Sequence, residues 1–339
     1  MATVKETTVV LEELAGPAVD VAYDVSGRRM ATCAATPSGS TVIQVHEAGP
    51  GPDAWTQVAA WETDLTVTAL TWAHPEYGRV LAGATTSGSV LVWGQVPELQ
   101  PGAVAGGPDE GPGGGYYQPL ADLVCGTGPC RSLCFAPRQA GLVLAALMED
   151  GHVWVHEAED VLAPRVWSLH SKVKAGPAGV CRGLCWRPFS AGVPPMLCAG
   201  AGPQALVWQY VLALNSWQIV ARLDSGNGQN VASVHWAPPL GRAVELVAVG
   251  AGRDLLIFSL SGDTAALQVE QLAALEHEAP VWKVEWDLWG NQVAAATEGR
   301  QVAVYRPNLV GSWVRQVLVA GQEVEDQEEE GDGEEGGSD

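Results

Sequence analysis

Val281-Trp282-Lys283-Val284-Glu285-Trp286-Asp287-Leu288-Trp289-Gly290-Asn291-Gln292-Val293-Ala294 reads as an alternating strand ending on an aromatic, a turn closed by glycine, and the start of a second strand of small residues. The same unit recurs along the chain. Aligned on its aromatic, the copies fall at Tyr23, Trp72, Phe135, Trp186, Trp236 and Trp286, with gaps of 49, 63, 51, 50 and 50 residues. A small-residue strand follows each anchor, at 30–34, 80–84, 142–146, 196–199, 246–249 and 292–296. A third strand then ends in an aromatic or a histidine, at 42–46, 90–93, 152–156, 205–208, 255–258 and 301–305. Self-similarity at roughly 40 to 50 residues, with several short strands per repeat, is the mark of a β-propeller. The chain is therefore expected to be all-β, with six blades in one domain over 1–321.

Composition narrows the function. The 339 residues carry a net charge of −21, and the last eighteen hold ten acids and no base, which leaves −11 for the rest. Phosphate backbones are bound by clustered Lys and Arg, so direct nucleic-acid binding is not expected. No run of eighteen apolar residues and no basic segment followed by an apolar core appears, so neither membrane insertion nor secretion is indicated and a cytosolic or nuclear protein is expected. Six of the seven cysteines fall on strands or their edges (Cys33, Cys130, Cys134, Cys181, Cys185, Cys198), where Cys packs as a small apolar residue. The spacings Cys130/Cys134 and Cys181/Cys185 put residues i and i+4 of a strand about 13 Å apart, too far to share a zinc held by bonds of about 2.3 Å. The histidines show no His-Glu-x-x-His pattern, and there is no Gly-x-Ser-x-Gly elbow. His46 and His156 occupy the position taken by Trp93, Trp208, Phe258 and Tyr305 in other blades, which reads as packing. Asp150-Gly151 reads as a tight turn. No catalytic, cofactor or metal residue is expected, and the chain reads as a non-enzyme.

Counting strands adds a finer expectation. Outer, fourth strands are expected at 55–61, 165–170, 217–223, 267–275 and 313–319, so blade 6 owns four of its own. Residues 97–119, rich in Gly and Pro, account for the long gap of 63 as a flexible loop between the third and fourth strands of blade 2. Residues 322–339 read as a disordered acidic tail. One strand, 7–13, is then left over. It fits as the outer strand of an incomplete seventh blade in an open ring, completed by strands from a partner. The partner-binding edge would comprise Thr8, Val9, Val10 and Leu11 on the orphan strand, Val19 and Val21 on blade 1, and Trp282 and Val284 on blade 6. The alternative is that 7–13 is a frayed end and the six blades close on themselves.

Five segments resemble a known family: Gly27-Arg28-Arg29-Met30-Ala31-Thr32-Cys33, Thr71-Trp72-Ala73-His74-Pro75-Glu76-Tyr77-Gly78, Phe135-Ala136-Pro137, His156-Glu157-Ala158-Glu159-Asp160-Val161 and Val281-Trp282-Lys283-Val284-Glu285-Trp286. They are similar to the Sec-thirteen-homologue (SEH-type) nucleoporins, WD-repeat members of the nuclear pore Y-complex, from about Asp20 to Trp313. Trp72-Ala73-His74-Pro75 is also similar to the sister family, the Sec-thirteen subunit of COPII vesicle coats. The resemblance implies an open six-bladed propeller that receives a blade from an α-solenoid nucleoporin of the Nup-eighty-five type. It implies a structural scaffold at the nuclear envelope, supporting pore assembly and nucleocytoplasmic transport of protein and mRNA. The family also serves in a vacuolar or lysosomal complex that regulates TORC1.

Overall fold

A computed structural model describes residues 16–51, 54–95 and 116–321. Strand 7–13, with Thr8, Val9, Val10 and Leu11, lies outside the described residues, as do the tail 322–339 and most of the loop 97–119. Among the described residues, twenty-four strands form six four-stranded antiparallel meanders, each running in chain order from its first strand to its fourth.

The six first strands are Ala18–Tyr23, Val67–Trp72, Cys130–Phe135, Cys181–Trp186, Val231–Trp236 and Val281–Trp286, so every one ends on its aromatic anchor. The turn after the last of them follows from its residues. The Asp287 carboxylate accepts the N–H groups of Asn291 (2.8 Å) and Gln292 (3.0 Å). Gly290 sits at φ 63°, and a Cβ there would meet the Pro238 carbonyl oxygen at 2.4 Å. Blade 1 repeats the device with Asp24, which accepts from Arg28 and Arg29. Asp150 likewise accepts from His152 N–H, as its place before Gly151 indicated.

Two boundaries differ from the sequence reading. The fourth strand of blade 2 is Tyr117–Val124, so residues 117–119 are strand rather than loop. Tyr117 supplies the reason, since its ring stacks on Trp61 with centroids 4.9 Å apart and meets Trp72 edge-on at 6.2 Å. The fourth strand of blade 3 is Trp167–Lys174, later than expected. Asp160 accepts from Leu162 N–H and Trp167 Nε1 donates to the Pro164 carbonyl, which holds the preceding residues in a turn.

Blade faces alternate with period two. In blade 5, Val234, Val247, Val249, Leu256 and Phe258 pack against blade 4, while Leu246, Ala248, Leu255 and Ile257 pack against blade 6. Each Val, Leu, Ile or Phe side chain so buried stabilises by about 1.5–3 kcal/mol. All seven cysteines are free thiols, six buried and Cys134 half-buried.

Candidate partner-binding junction

Neighbouring blades meet along their first strands, and two kinds of hydrogen bond cross from one blade to the next. A tryptophan anchor donates Nε1–H to the carbonyl of the fifth residue in the preceding blade's first strand. This occurs as Trp72 to Ala22 (3.0 Å), Trp186 to Cys134 (3.2 Å) and Trp286 to His235 (3.1 Å). A polar third residue accepts the N–H of the fourth residue in the next blade, as Asp20 does from Leu70 (2.8 Å) and Ser233 from Val284 (3.1 Å). His235 Nδ1 adds a bond by accepting Trp286 N–H at 2.7 Å, so that nitrogen carries no proton.

First strands pack together at all five junctions from blade 1 to blade 6, with one or both of these bonds at the first, third and fifth. No comparable packing joins Val281–Trp286 to Ala18–Tyr23 among the described residues. The residues at that sixth junction also differ. Its anchor is Tyr23, which has no indole N–H, is exposed, and sets its ring edge against Trp55 at 5.9 Å. The third residue of blade 6 is Lys283, whose ammonium can donate but not accept.

Burial follows the same divide. The fourth residue of the first strand is buried as Leu70, Leu133, Leu184, Val234 and Val284, yet in blade 1 it is Val21, 46% exposed. On the opposite flank, the positions taken by Ile43 and Val45, Val90 and Val92, Val153 and Val155, Ala205 and Val207, and Leu255 and Ile257 are sealed in blades 1 to 5. In blade 6 they are Val302, 38% exposed, and Val304, half-buried.

Blade 1 also turns an unusual polar set towards this side. Thr32, Gln44 and His46 stand where blade 5 has Val249, Leu256 and Phe258. All three are buried, and neither Thr32 Oγ1 nor His46 Nδ1 has a hydrogen-bond partner among the described residues. Burial pushes the His46 pKa down, so the imidazole is neutral and can accept. An incoming backbone N–H or side-chain donor would satisfy such groups.

Of the expected edge residues, Val19 and Val21 lie exposed on the first strand of blade 1. Trp282, 51% exposed, lines the central cavity of about 680 Å³, to which all six first strands contribute. Val284 is corrected in place. It is 2% exposed, packs against blade 5 and gives its N–H to Ser233, so it belongs to the sealed fifth junction. On the flank of blade 6 that faces blade 1, Val302 is exposed and Val304 half-buried. Sequence reasoning missed both, and also Asp20. The Asp20 pKa is raised, chiefly by burial, against the lowering effect of Lys283 across the junction and of the Leu70 N–H. Aligning the third residues of the first strands (Asp20, Ala69, Ser132, Gly183, Ser233, Lys283) would have exposed the acceptor pattern.

Among the described residues no group of three His, Cys, Asp or Glu is placed to hold a metal ion, and no helix is long and apolar enough to cross a membrane.

No sequence-family model matches the chain. Curated relatives named Nucleoporin SEH1 do match: those of Homo sapiens and Danio rerio are each 28% identical over 312 residues, covering 87% of this chain and 82% of theirs. That of Xenopus tropicalis is 28% identical over 313 residues, with the same coverage. The resemblance to SEH-type nucleoporins read from the sequence therefore holds over most of the chain. Solved structures share the fold. A Lactobacillus plantarum protein superposes with TM-score 0.66 at 11% identity, covering 89% of this chain and 84% of that chain. The periplasmic gluconolactonase PpgL of Pseudomonas aeruginosa gives 0.65 at 16% identity, covering 88% and 84%. At such identities they attest the propeller and nothing about activity.

Proposed function

We propose that this chain is a non-catalytic propeller subunit of the nucleoporin type, an open ring whose sixth junction receives β-strands from an α-solenoid partner of the Nup-eighty-five kind. The observation that carries the reading is the pair of half-uncovered apolar flanks, Val21 on blade 1 and Val302 with Val304 on blade 6, at positions sealed in every other blade. A partner that inserts there would bury about 2,000 Å² or more, as obligate interfaces do. Thr8, Val9, Val10 and Leu11 would then pair with the inserted strands, and Val19 and Val21 would pack against them. Curated relatives named as nucleoporins support membership of the Y-complex at the nuclear envelope, with a role in pore assembly and nucleocytoplasmic transport.

The test is affinity purification of the full chain from native cells, with parent and two strand variants compared. Val10→Thr keeps the ladder donors, while Val10→Pro removes one. Recovery of an α-solenoid with pore subunits by the parent and Val10→Thr, and its loss with Val10→Pro, is the expected outcome. Equal recovery by both variants would remove strand 7–13 from the joint blade. Recovery of COPII coat subunits, or of a vacuolar or lysosomal TORC1-regulating complex, would keep the edge and change the assembly. Deleting 322–339 should leave recovery unchanged, since ten mutually repelling carboxylates follow the last strand, Trp313–Ala320.

A further inference from the structure

A second cavity lies between blades 3 and 4, away from the sixth junction and independent of the reading above. We propose that this cavity, about 500 Å³ and walled by Trp186, Tyr210, Trp217 and His170 with Glu157 at its side, binds an alkylated ammonium cation of the kind carried by a methylated lysine or a free quaternary amine. Its size is that of an ordinary small-ligand site, about 300–1,000 Å³.

The wall is a set of aromatic rings tilted against one another. His170 and Tyr210 have centroids 5.1 Å apart at 57°, Tyr210 and Trp217 5.3 Å at 59°, and Trp186 and Trp217 6.0 Å at 59°. Their hydrogen-bond donors are already committed to the protein. The Tyr210 hydroxyl donates to Asn215 Oδ1, Trp217 Nε1 donates to Ser171 Oγ at 2.9 Å, and Trp186 Nε1 donates to the Cys134 carbonyl at 3.2 Å. What these three rings have left to offer is the negative face of the π system.

Glu157 gives the cavity its sign. It lies on the third strand of blade 3, His152–Ala158, on the same face as Val153 and Val155, which pack against blade 4. Its carboxylate makes no ion pair among the described residues, and no Lys or Arg lines the cavity. An anion would meet that carboxylate with no compensating charge. A neutral apolar ligand would desolvate it without pairing it.

A primary ammonium is strongly hydrated and offers three donors; the lining meets it with the Glu157 carboxylate and Gln209 Oε1, and otherwise with ring faces and apolar side chains. An alkylated ammonium has an apolar shell over a diffuse charge and needs ring faces plus one anion. That is the recognition aromatic cages perform. The net charge of −21 adds a long-range attraction for any cation.

The full chain, labelled with ¹⁵N at tryptophan, is titrated with choline and with N-acetyl-trimethyl-lysine amide, following the Trp186 and Trp217 indole resonances. The control ligands are 3,3-dimethylbutanol, the uncharged isostere of choline, and n-butylammonium. Saturable shifts at both indoles are expected with the two alkylated cations, and binding about tenfold weaker or less for either control. Glu157→Gln should weaken cation binding about fivefold, whereas Tyr210→Phe, which keeps the ring, should change it less than about twofold. A trimethyl-lysine ligand that binds much tighter than choline assigns the site to a protein partner, and the reverse order assigns it to a free metabolite. The proposal is overturned if the alcohol or n-butylammonium binds as well as choline, if Glu157→Gln binds like the parent, or if neither indole shifts. Trp217→Leu serves as a further variant, and the isostere comparison stands without it should that protein fail to fold.

Discussion

The junction between blades 5 and 6 and the junction between blades 6 and 1 are built from the same positions of the same repeat, yet only the first is sealed among the described residues. At the fifth junction Val281 and Val284 are sealed against blade 5, Ser233 accepts Val284 N–H, and His235 takes both N–H groups of Trp286. At the sixth, Lys283 stands in place of the acceptor, Tyr23 in place of the indole, and Val21 is half in solvent. The repeat thus provides a packing surface at every blade. Those two bonds alone do not decide whether two blades use it for each other, since blades 2 and 3 pack with Ala69 and Phe135 at these positions; what sets the sixth junction apart is a lysine and an exposed tyrosine there, beside apolar flanks left open.

The largest expected effect contrasts Val284→Asp with Val21→Asp. The first places an unpaired carboxylate in a sealed interface and should cost about 4 kcal/mol or more. The second should change stability by about 0.5 kcal/mol at most while lowering recovery of the solenoid partner. Denaturant midpoints and the affinity purification read the two quantities. Equal destabilisation by both variants would mean that the sixth junction is packed like the fifth.

A smaller contrast comes from the anchors. Trp286→Phe removes the indole bond to the His235 carbonyl and should cost about 1–2 kcal/mol, whereas Tyr23→Phe should stay within about 0.5 kcal/mol of the parent. A large loss from Tyr23→Phe would show that its hydroxyl has a structural partner at the sixth junction.

Acid should loosen the fifth junction before the others. Burial pushes the His235 pKa down, with Glu285 acting in the opposite direction, and Nδ1 must stay unprotonated to accept Trp286 N–H. A depressed folded-state pKa means that the stabilisation is complete above the unfolded value near 6.5 and is lost progressively as pH falls below it. Amide exchange at Trp286 should quicken as pH falls below about 6.5, relative to Leu70, whose N–H is held by Asp20. Parallel pH dependence at both amides would contradict this.

The smallest effect belongs to Asp20. Its pKa is raised, so the cost of its burial is absent at low pH, builds as pH rises past the unfolded value near 3.8 and is complete above the folded-state value. Asp20→Asn keeps an acceptor for Leu70 N–H. It should therefore raise the thermal midpoint at neutral pH and leave it unchanged in acid. A lower midpoint at neutral pH would show that attraction to Lys283 outweighs burial.

The sequence made the repeat legible because strand alternation and a terminal aromatic are local signals, and all six first strands end where their anchors said. Expected strand ends moved where a side chain outside the strand intervened, as with Tyr117 on Trp61. The side to which Val284 points was not legible. Alternation separates two faces of a strand but does not say which neighbouring blade each face meets. The polar set Thr32, Gln44 and His46 is unremarkable as sequence, and becomes informative only when register places it opposite Val249, Leu256 and Phe258 in the repeat.

The tryptophan bonds between blades carry a consequence for how the polypeptide finds its shape. They span 50, 52 and 51 residues, so each blade can dock on the one synthesised just before it. Joining Asp20 to Glu285 would instead close a loop about five times longer, an added entropic cost of about 1.5 kcal/mol at a fixed number of contacts. In the open ring proposed above, that last pair is left to another molecule, and the distant ends never have to be brought together. Its assembly can advance with the ribosome, one meander at a time, and the search between remote segments becomes an encounter governed by the partner's concentration.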